Sequence, residues 1–314
     1  MVEKKPRILF MGTPEFAVPT LEGLIENGYS VIAVVTQPDR PRGRGRKSEP
    51  PPVKSVAEKR GIPVLQPERV RDEEFLQVFR RLAPELVVLV AFGQILPGEI
   101  IDFPAMGCIN VHPSLLPLYR GAAPINWALI RGEVRTGVTI IRMDRGVDSG
   151  DILLQEETPI EPGENYDSLH DRLARQGARL LLKAVEDIVA GKVVGRPQDH
   201  SRATYAPRLK KEEGHLRWDA GVEEILNRIR GLSSSPGAYA FLKGKQLKIF
   251  AAVAERADVS EAPGTIGPER EEGLPVAAAD GYVYLKEIQL EGKKRMPVSD
   301  FLRGYRLVPG ERLQ

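Results

Sequence analysis

The sequence predicts an α/β protein in which a helix-covered parallel sheet is followed by a small β-barrel, and three observations predict it. Apolar runs without alternation recur at residues 7–11, 30–36 and 86–91. Helical periodicity fills the stretches between them, and beyond residue 208 short strands set off by Gly and Pro take over. Strands buried on both faces read as continuous apolar runs, whereas short punctuated strands belong to barrels. A length of 314 residues exceeds one modal domain, so two are expected.

Residues 7–11 form the first strand, ended by Gly12. Thr13, Pro14 and Glu15 then have the chemistry of a helix start: a cap, a proline in the first turn and an acid at the positive end of the dipole. That helix runs to about residue 26. A strand at 30–36, helices at 53–60 and 72–82 and a strand at 86–91 follow, giving a Rossmann-like domain. Ligands of such sheets bind outside the carboxyl ends of the strands, here near Gly12 and Thr13, 92–94 and 110–113. Residues 123–131 read as a helix, 137–143 as a strand and 164–190 as a long helix with Leu169, Leu173, Leu180, Leu181, Val185 and Ile188 on its apolar face. Residues 195–207 are polar without apolar period and are expected to link domain 1–194 to domain 208–314. The second domain should contain a helix at 222–230, strands at 238–242, 246–252, 276–278 and 282–290, and a closing helix at 298–303.

Composition narrows the classes. With 42% hydrophobic and 28% charged residues the chain reads as globular, and a net charge of +2 is too small to imply a nucleic-acid partner, so any basic signal must be local. One cysteine excludes an intramolecular disulfide framework and a cysteine-based zinc site. The apolar run after Lys4, Lys5 and Arg7 is too short for a signal peptide, and no run has transmembrane length. A cytoplasmic location is expected.

The chemistry concentrates at residues 108–121, C-I-N-V-H-P-S-L-L-P-L-Y-R-G. In extended backbone, residues two apart share a face, so Asn110 and His112 point the same way. Pro113 favours extended backbone at His112 and stops a helix from passing through it. Downstream, Asp144, Asp148 and Asp151 lie among glycines but lack the spacing and terminal Glu of a calcium loop, so no metal is expected. Asp144 and Asp151 read equally well as turn residues; Asp148 is the preferred partner of His112, since a carboxylate can orient an imidazole and stabilise its cation. Cys108 reads as a small buried hydrophobe and Ser114 as a loop hydrogen-bonder, leaving no protein nucleophile. Asn, His and Asp then suit direct attack of one substrate on another, with Asn110 donating to an oxyanion and His112 shuttling protons. A second signal is the basic run Arg40, Arg42, Arg44, Arg46 and Lys47, interrupted by Gly43 and Gly45. It is neither a P-loop nor a dinucleotide fingerprint, and is expected to be a mobile, phosphate-attracting protrusion. Lesser basic groups recur at 208–211, 243–248 and 293–295, in the expected barrel.

Residues 110–117 (N-V-H-P-S-L-L-P), 119–124 (Y-R-G-A-A-P) and 143–151 resemble the formyltransferases that use 10-formyltetrahydrofolate. M-G-T-P-E-F at 11–16, T-Q-P-D-R-P at 36–41 and the basic run resemble the tRNA-directed branch of that family over essentially the whole chain. The resemblance implies transfer of a formyl group from 10-formyltetrahydrofolate, a cosubstrate, to the α-amino group of methionine on initiator tRNA, by a monomer with an OB-like tRNA-binding barrel. It implies Asn110, His112 and Asp148 as the catalytic trio. The folate would lie along Phe92, Gly93, Gln94, Ile95 and Leu96 and along Ser114, Leu115, Leu116 and Pro117, with the loop around Asp144 closing on the pterin. Arg44 matches the arginine that reads the acceptor end, although Arg42 stands where the family can have a neutral residue. Arg40, Arg42, Arg46 and Lys47, with Lys210, Lys211, Lys243 and Lys245 of the barrel, would meet tRNA. The competing readings are an amino-sugar nucleotide formyltransferase, which has no use for the basic run, and a noncatalytic RNA-binding relative. A nicotinamide oxidoreductase is disfavoured because the first strand ends without the second and third fingerprint glycines.

Overall fold

A computed structural model describes residues 5–42, 47–233, 235–308 and 310–314. The chain divides into two compact units, 1–121 with 136–159 and 170–205, and 122–135 with 160–169 and 206–314.

In the first unit, strands β1 (Arg7–Gly12), β2 (Ser30–Val35), β3 (Arg40–Arg42), β4 (Lys47–Glu49), β5 (Val64–Leu65), β6 (Leu86–Val90), β7 (Cys108–His112), β8 (Arg135–Arg142) and β9 (Ile152–Pro159) alternate with helices. The helices are α1 (Val18–Glu26), α2 (Pro52–Lys59), α3 (Glu73–Leu82), α4 (Gly98–Ile101) and most of α6 (Tyr166–Val189), whereas α5 (Pro124–Ile130) lies in a segment of the second unit. Among the described residues the main sheet has the order β5-β2-β1-β6-β7-β8-β9. The β1–β2, β1–β6, β2–β5 and β6–β7 pairs are parallel, as the uninterrupted apolar runs predict. The sheet is not parallel throughout: β8 runs antiparallel to β7, with Asn110 opposite Ile141 and His112 opposite Thr139. The start of β8 pairs beside the end of β7, His112 lying opposite Thr139, and α5, between the two strands in sequence, groups with the second unit. Strand β9 escapes sequence reading because Gln155, Glu156 and Glu157 interrupt its apolar character.

One face of this sheet buries Leu9, Met11, Val35, Val87, Leu89 and Cys108 against Phe75, Leu76 and Phe79 of α3. Each such side chain contributes about 1.5–3 kcal/mol relative to exposure. Behind β7, α6 comes so close at Gly177 that a Cβ there would lie 2.8 Å from Val111 Cγ1. Thr13 does not cap a helix as its position predicts; its side chain makes no cap bond, and a 3₁₀ turn at Glu15–Ala17 precedes α1. The Thr13 hydroxyl instead donates to Phe92 O at 3.2 Å and accepts from Gln37 N at 3.3 Å, tying together the ends of β1, β2 and β6. Much of the 195–207 segment, expected to link the domains, is bonded in place. Arg196 and Ile152 exchange backbone bonds of 2.8 and 2.9 Å, and Arg120 N donates to Thr204 O at 2.9 Å, so the polar composition reflects bonding into the first unit.

The second unit contains α7 (Val222–Leu232), β10 (Ala238–Leu242), β11 (Lys245–Arg256), β12 (Leu274–Ala277), β13 (Gly281–Leu290), β14 (Met296–Pro297) and α8 (Val298–Gly304). Strands β10-β11-β13-β12 form an antiparallel sheet, with β14 on β13. Segments outside the named strands close it. Phe241 and Gln314 exchange backbone bonds, Leu313 N donates to Gly264 O, and Ala277 N donates to Thr265 O. The expected barrel is therefore completed by residues 264–267 and 311–314. Its core is Leu216, Ile225, Ile229, Leu247, Ile249, Val283, Leu285 and Ile288, all buried. Between β10 and β11, Lys243 and Gly244 both have positive φ, +50° and +74°, as a two-residue primed hairpin turn requires.

Candidate active site

Strand β7 carries Asn110 and His112 on one face, and the loop from β8 to β9 brings Asp148 to both. Asn110 Nδ2 donates to Asp148 Oδ1 at 3.3 Å, and His112 Nδ1 lies 3.6 Å from Asp148 Oδ2. Both strand residues are buried, 7% and 4% exposed. The structure thus brings the three sequence-predicted residues together. Asp148 has φ +50°, a left-handed conformation that costs a non-glycine residue roughly 1–3 kcal/mol and needs support from its surroundings.

The support comes from groups that the sequence reading missed. Gly121 N donates to Asp148 Oδ2 at 2.9 Å. His112 Nε2 lies 2.9 Å from Tyr119 O; a carbonyl only accepts, so Nε2 carries the proton and Nδ1 is left to gain or lose one. The main chain at Tyr119, not Asp148, fixes the tautomer, with φ +61° at that turn. Nothing in the side-chain pattern announces this, because the acting group is a backbone oxygen. Thr139, wholly buried, donates to Ser114 O at 2.6 Å and accepts from Leu116 N at 3.2 Å and Gln155 Nε2 at 2.8 Å. It pins the S-L-L-P loop beside the site.

Ser114 Oγ donates to Leu118 O at 2.6 Å, as a loop-bonding serine should. Burial pushes the Cys108 thiol up to about 12, assisted by the Asp102 charge. Its Sγ lies 3.3 Å from Ile100 O, and a thiol so placed is no nucleophile.

The residues expected along the folate are of two kinds. Phe92, Leu96, Ser114 and Leu116 are buried, so they would present backbone. Ile95 is 81% exposed and Val147 54% exposed, bare apolar surface on the two loops that leave β6 and β8. Gly93 is exposed, and Leu115 and Pro117 are half-buried. Gln94 is committed elsewhere, accepting from Val70 N at 3.0 Å and donating to Glu68 O at 3.2 Å. Asp144 organises its own turn, accepting from Gly146 N at 3.0 Å and Ser149 Oγ at 2.7 Å.

Of the basic run, Arg44 and Arg46 lie outside the described residues. The flanking segments are two paired strands, Arg40 opposite Glu49 and Arg42 opposite Lys47. Exposed Arg40 donates to Gln37 Oε1 at 3.4 Å. Asp39, the acid of this run, is bonded by Lys54 Nζ at 2.7 Å, which holds its carboxyl below the ordinary value with help from Gln66. In the second unit Lys210, Lys211 and Lys245 are exposed, while Lys243 is turned onto Glu311 at 2.8 Å.

The formyl transferase family model matches residues 6–185, and the model of the formyl transferase C-terminal domain matches residues 208–306. A methionyl-tRNA formyltransferase of Syntrophus aciditrophicus (strain SB) is 59% identical over 306 residues, 98% of this chain and 98% of that protein. One from Geobacter sulfurreducens is 53% identical over 307 residues, 98% and 96% of the two chains. The crystal structure of HypX from Aquifex aeolicus in complex with tetrahydrofolic acid is similar in fold, with a TM-score of 0.67 at 18% identity over 99% of this chain and 51% of that one.

Proposed function

The chain belongs to the formyl transferase family, and from that premise we propose that it moves the formyl group of 10-formyltetrahydrofolate to the α-amino group of methionine on initiator tRNA. The observation that carries the proposal is the Asp148 carboxylate, reached by Asn110 Nδ2 and Gly121 N and faced by His112 Nδ1.

The donor supplies an activated formyl carbon and a nitrogen leaving group. An α-amine titrates near ~8, and an ester neighbour lowers that, so the acceptor is already a free nucleophile near neutrality. The amine nitrogen bonds to the formyl carbon as the bond to the folate nitrogen breaks, and one proton passes from the amine to that nitrogen. Asn110 has a second amide hydrogen beyond the one on Asp148, and it donates to the formyl oxygen as charge develops there; one such donor is worth roughly 3 kcal/mol. His112 moves the proton through Nδ1 while Tyr119 O holds Nε2–H. Asp148 faces the cation formed in transit. Phe92, Gly93, Ile95 and Leu96, with the pinned loop from Ser114 to Pro117, hold the donor, the exposed Ile95 and Val147 covering its ring.

In this reading residues 1–194 are the catalytic domain, 195–207 connect it to the next, and 208–314 bind tRNA in a cytoplasmic monomer. The basic run and the lysines at 210, 211 and 245 attract phosphates; Lys243 joins them only by leaving Glu311. The test is direct: purified protein, 10-formyltetrahydrofolate and methionyl initiator tRNA, with formylmethionine detected by mass. Formylation of an amino-sugar nucleotide in place of the tRNA would overturn the acceptor assignment.

A further inference from the structure

Gln198 sits in the segment that sequence reading takes for a linker, yet it is only 6% exposed and its side-chain amide is committed at both ends. Nε2 donates to Asp148 O at 2.9 Å and to Gly150 O at 2.7 Å. Oε1 accepts from Arg120 Nη2 at 2.7 Å and Nε at 3.2 Å, and the same Nη2 lies 3.0 Å from His200 Nδ1. Arg120 adjoins Gly121, whose N–H holds the Asp148 carboxylate. One buried amide therefore ties the turn that presents Asp148 to the turn that fixes its oxygens.

We propose that Gln198 is a positioning residue for formyl transfer, holding the Asp148 backbone in its left-handed conformation so that the carboxylate meets Asn110 and His112 together. The inference rests on the functional reading above. Residue chemistry supports it. The site asks for two N–H donors toward carbonyls and one oxygen toward a guanidinium, which a primary amide supplies. Glutamate keeps the length and the arginine contact but sets an acceptor against two carbonyls; asparagine is a methylene short. The left-handed residue is aspartate, so its conformation has to be held by partners such as these.

The test compares Gln198→Glu with wild type in formylation of methionyl-tRNA, and repeats the substitution on an Asp148→Asn background. A misplacement of about 1 Å can cost about 100-fold in rate, so kcat should fall roughly 10- to 100-fold while KM for both substrates stays within about threefold. On the Asp148→Asn background the further loss should be under about twofold, because a residue acting through Asp148 has nothing left to align. Arg120→Lys, which removes the fork that orients Gln198, should give the same kcat-only pattern and serves if Gln198→Glu fails to fold. An unchanged kcat in both variants, or equal losses with and without the Asp148 carboxylate, overturns the inference while leaving the functional reading intact. A wild-type protein that formylates no acceptor overturns both.

Discussion

Two turns in this chain hold a non-glycine residue at the same unfavourable angle, φ +50°, for different reasons. At Lys243 the angle is demanded locally: Leu242 and Lys245 are paired across a two-residue connection, and the ladder behind them enforces the turn. At Asp148 no ladder does so. There the bonds come from residues far along the chain, Gly121 and Gln198 among them, and the side chain faces the buried pair on β7. The first turn serves a topology, the second serves a side chain. Exposure divides them too, with Lys243 bridged on the surface to Glu311 and Asp148 half-buried.

If that contrast is right, effects should fall off steeply from one turn to the other. Asp148→Asn, nearly isosteric but uncharged, is expected to lower kcat about 100- to 1,000-fold, measured by single-turnover formylation at saturating substrates; a loss under threefold would put Asp148 in the same class as Lys243. Asn110→Ala should cost about 100-fold in kcat with donor affinity, read by equilibrium binding, little changed. Replacing Arg42, Arg44, Arg46 and Lys47 by Ala should act on binding instead, flattening the salt dependence of tRNA affinity by about 0.7–0.9 per lost phosphate contact. A salt titration giving an unchanged slope would make that run mere solvated surface. Lys243→Gly removes the Glu311 ion pair and relieves the positive φ together, two opposing effects, so melting should report only a small net change and kcat should not move.

The dryness of the Asp148 side can be probed without an assay. Cys108, two residues before Asn110 on the same face, has its thiol raised from 9.0 to about 12. Below pH 9 folded and unfolded chains both keep this proton and its contribution to stability is fully present. Between pH 9 and 12 the unfolded chain loses the proton while the folded chain retains it, so stability falls. The melting temperature of wild type should therefore drop more steeply from pH 8 to pH 10 than that of Cys108→Ala. Parallel curves would mean that the face admits water.

Much of this was legible in the sequence, for identifiable reasons. Strands buried on both faces announce themselves, so β1, β2 and β6 fall where their apolar runs lie, and alternation alone puts Asn110 and His112 together. What stayed hidden depends on backbone groups and distant partners. Tyr119 meets His112 through its carbonyl, Gln198 lies in a segment without period, and an apolar run such as that of β8 carries no sign of its direction. Thr13 shows the converse error: its neighbours have cap chemistry, but the hydroxyl is drawn to Phe92 O across the sheet ends.

Gly177 carries a practical consequence. A glycine inside a long helix is where a protein engineer would put alanine to raise heat resistance, since shedding unfolded-state freedom commonly gains about 0.4–1 kcal/mol. Here the added methyl would press on Val111, between the two side chains proposed to do the chemistry. At 2.8 Å something must shift, so the usual gain is lost to the clash, which marks position 177 as one to leave alone when hardening this chain.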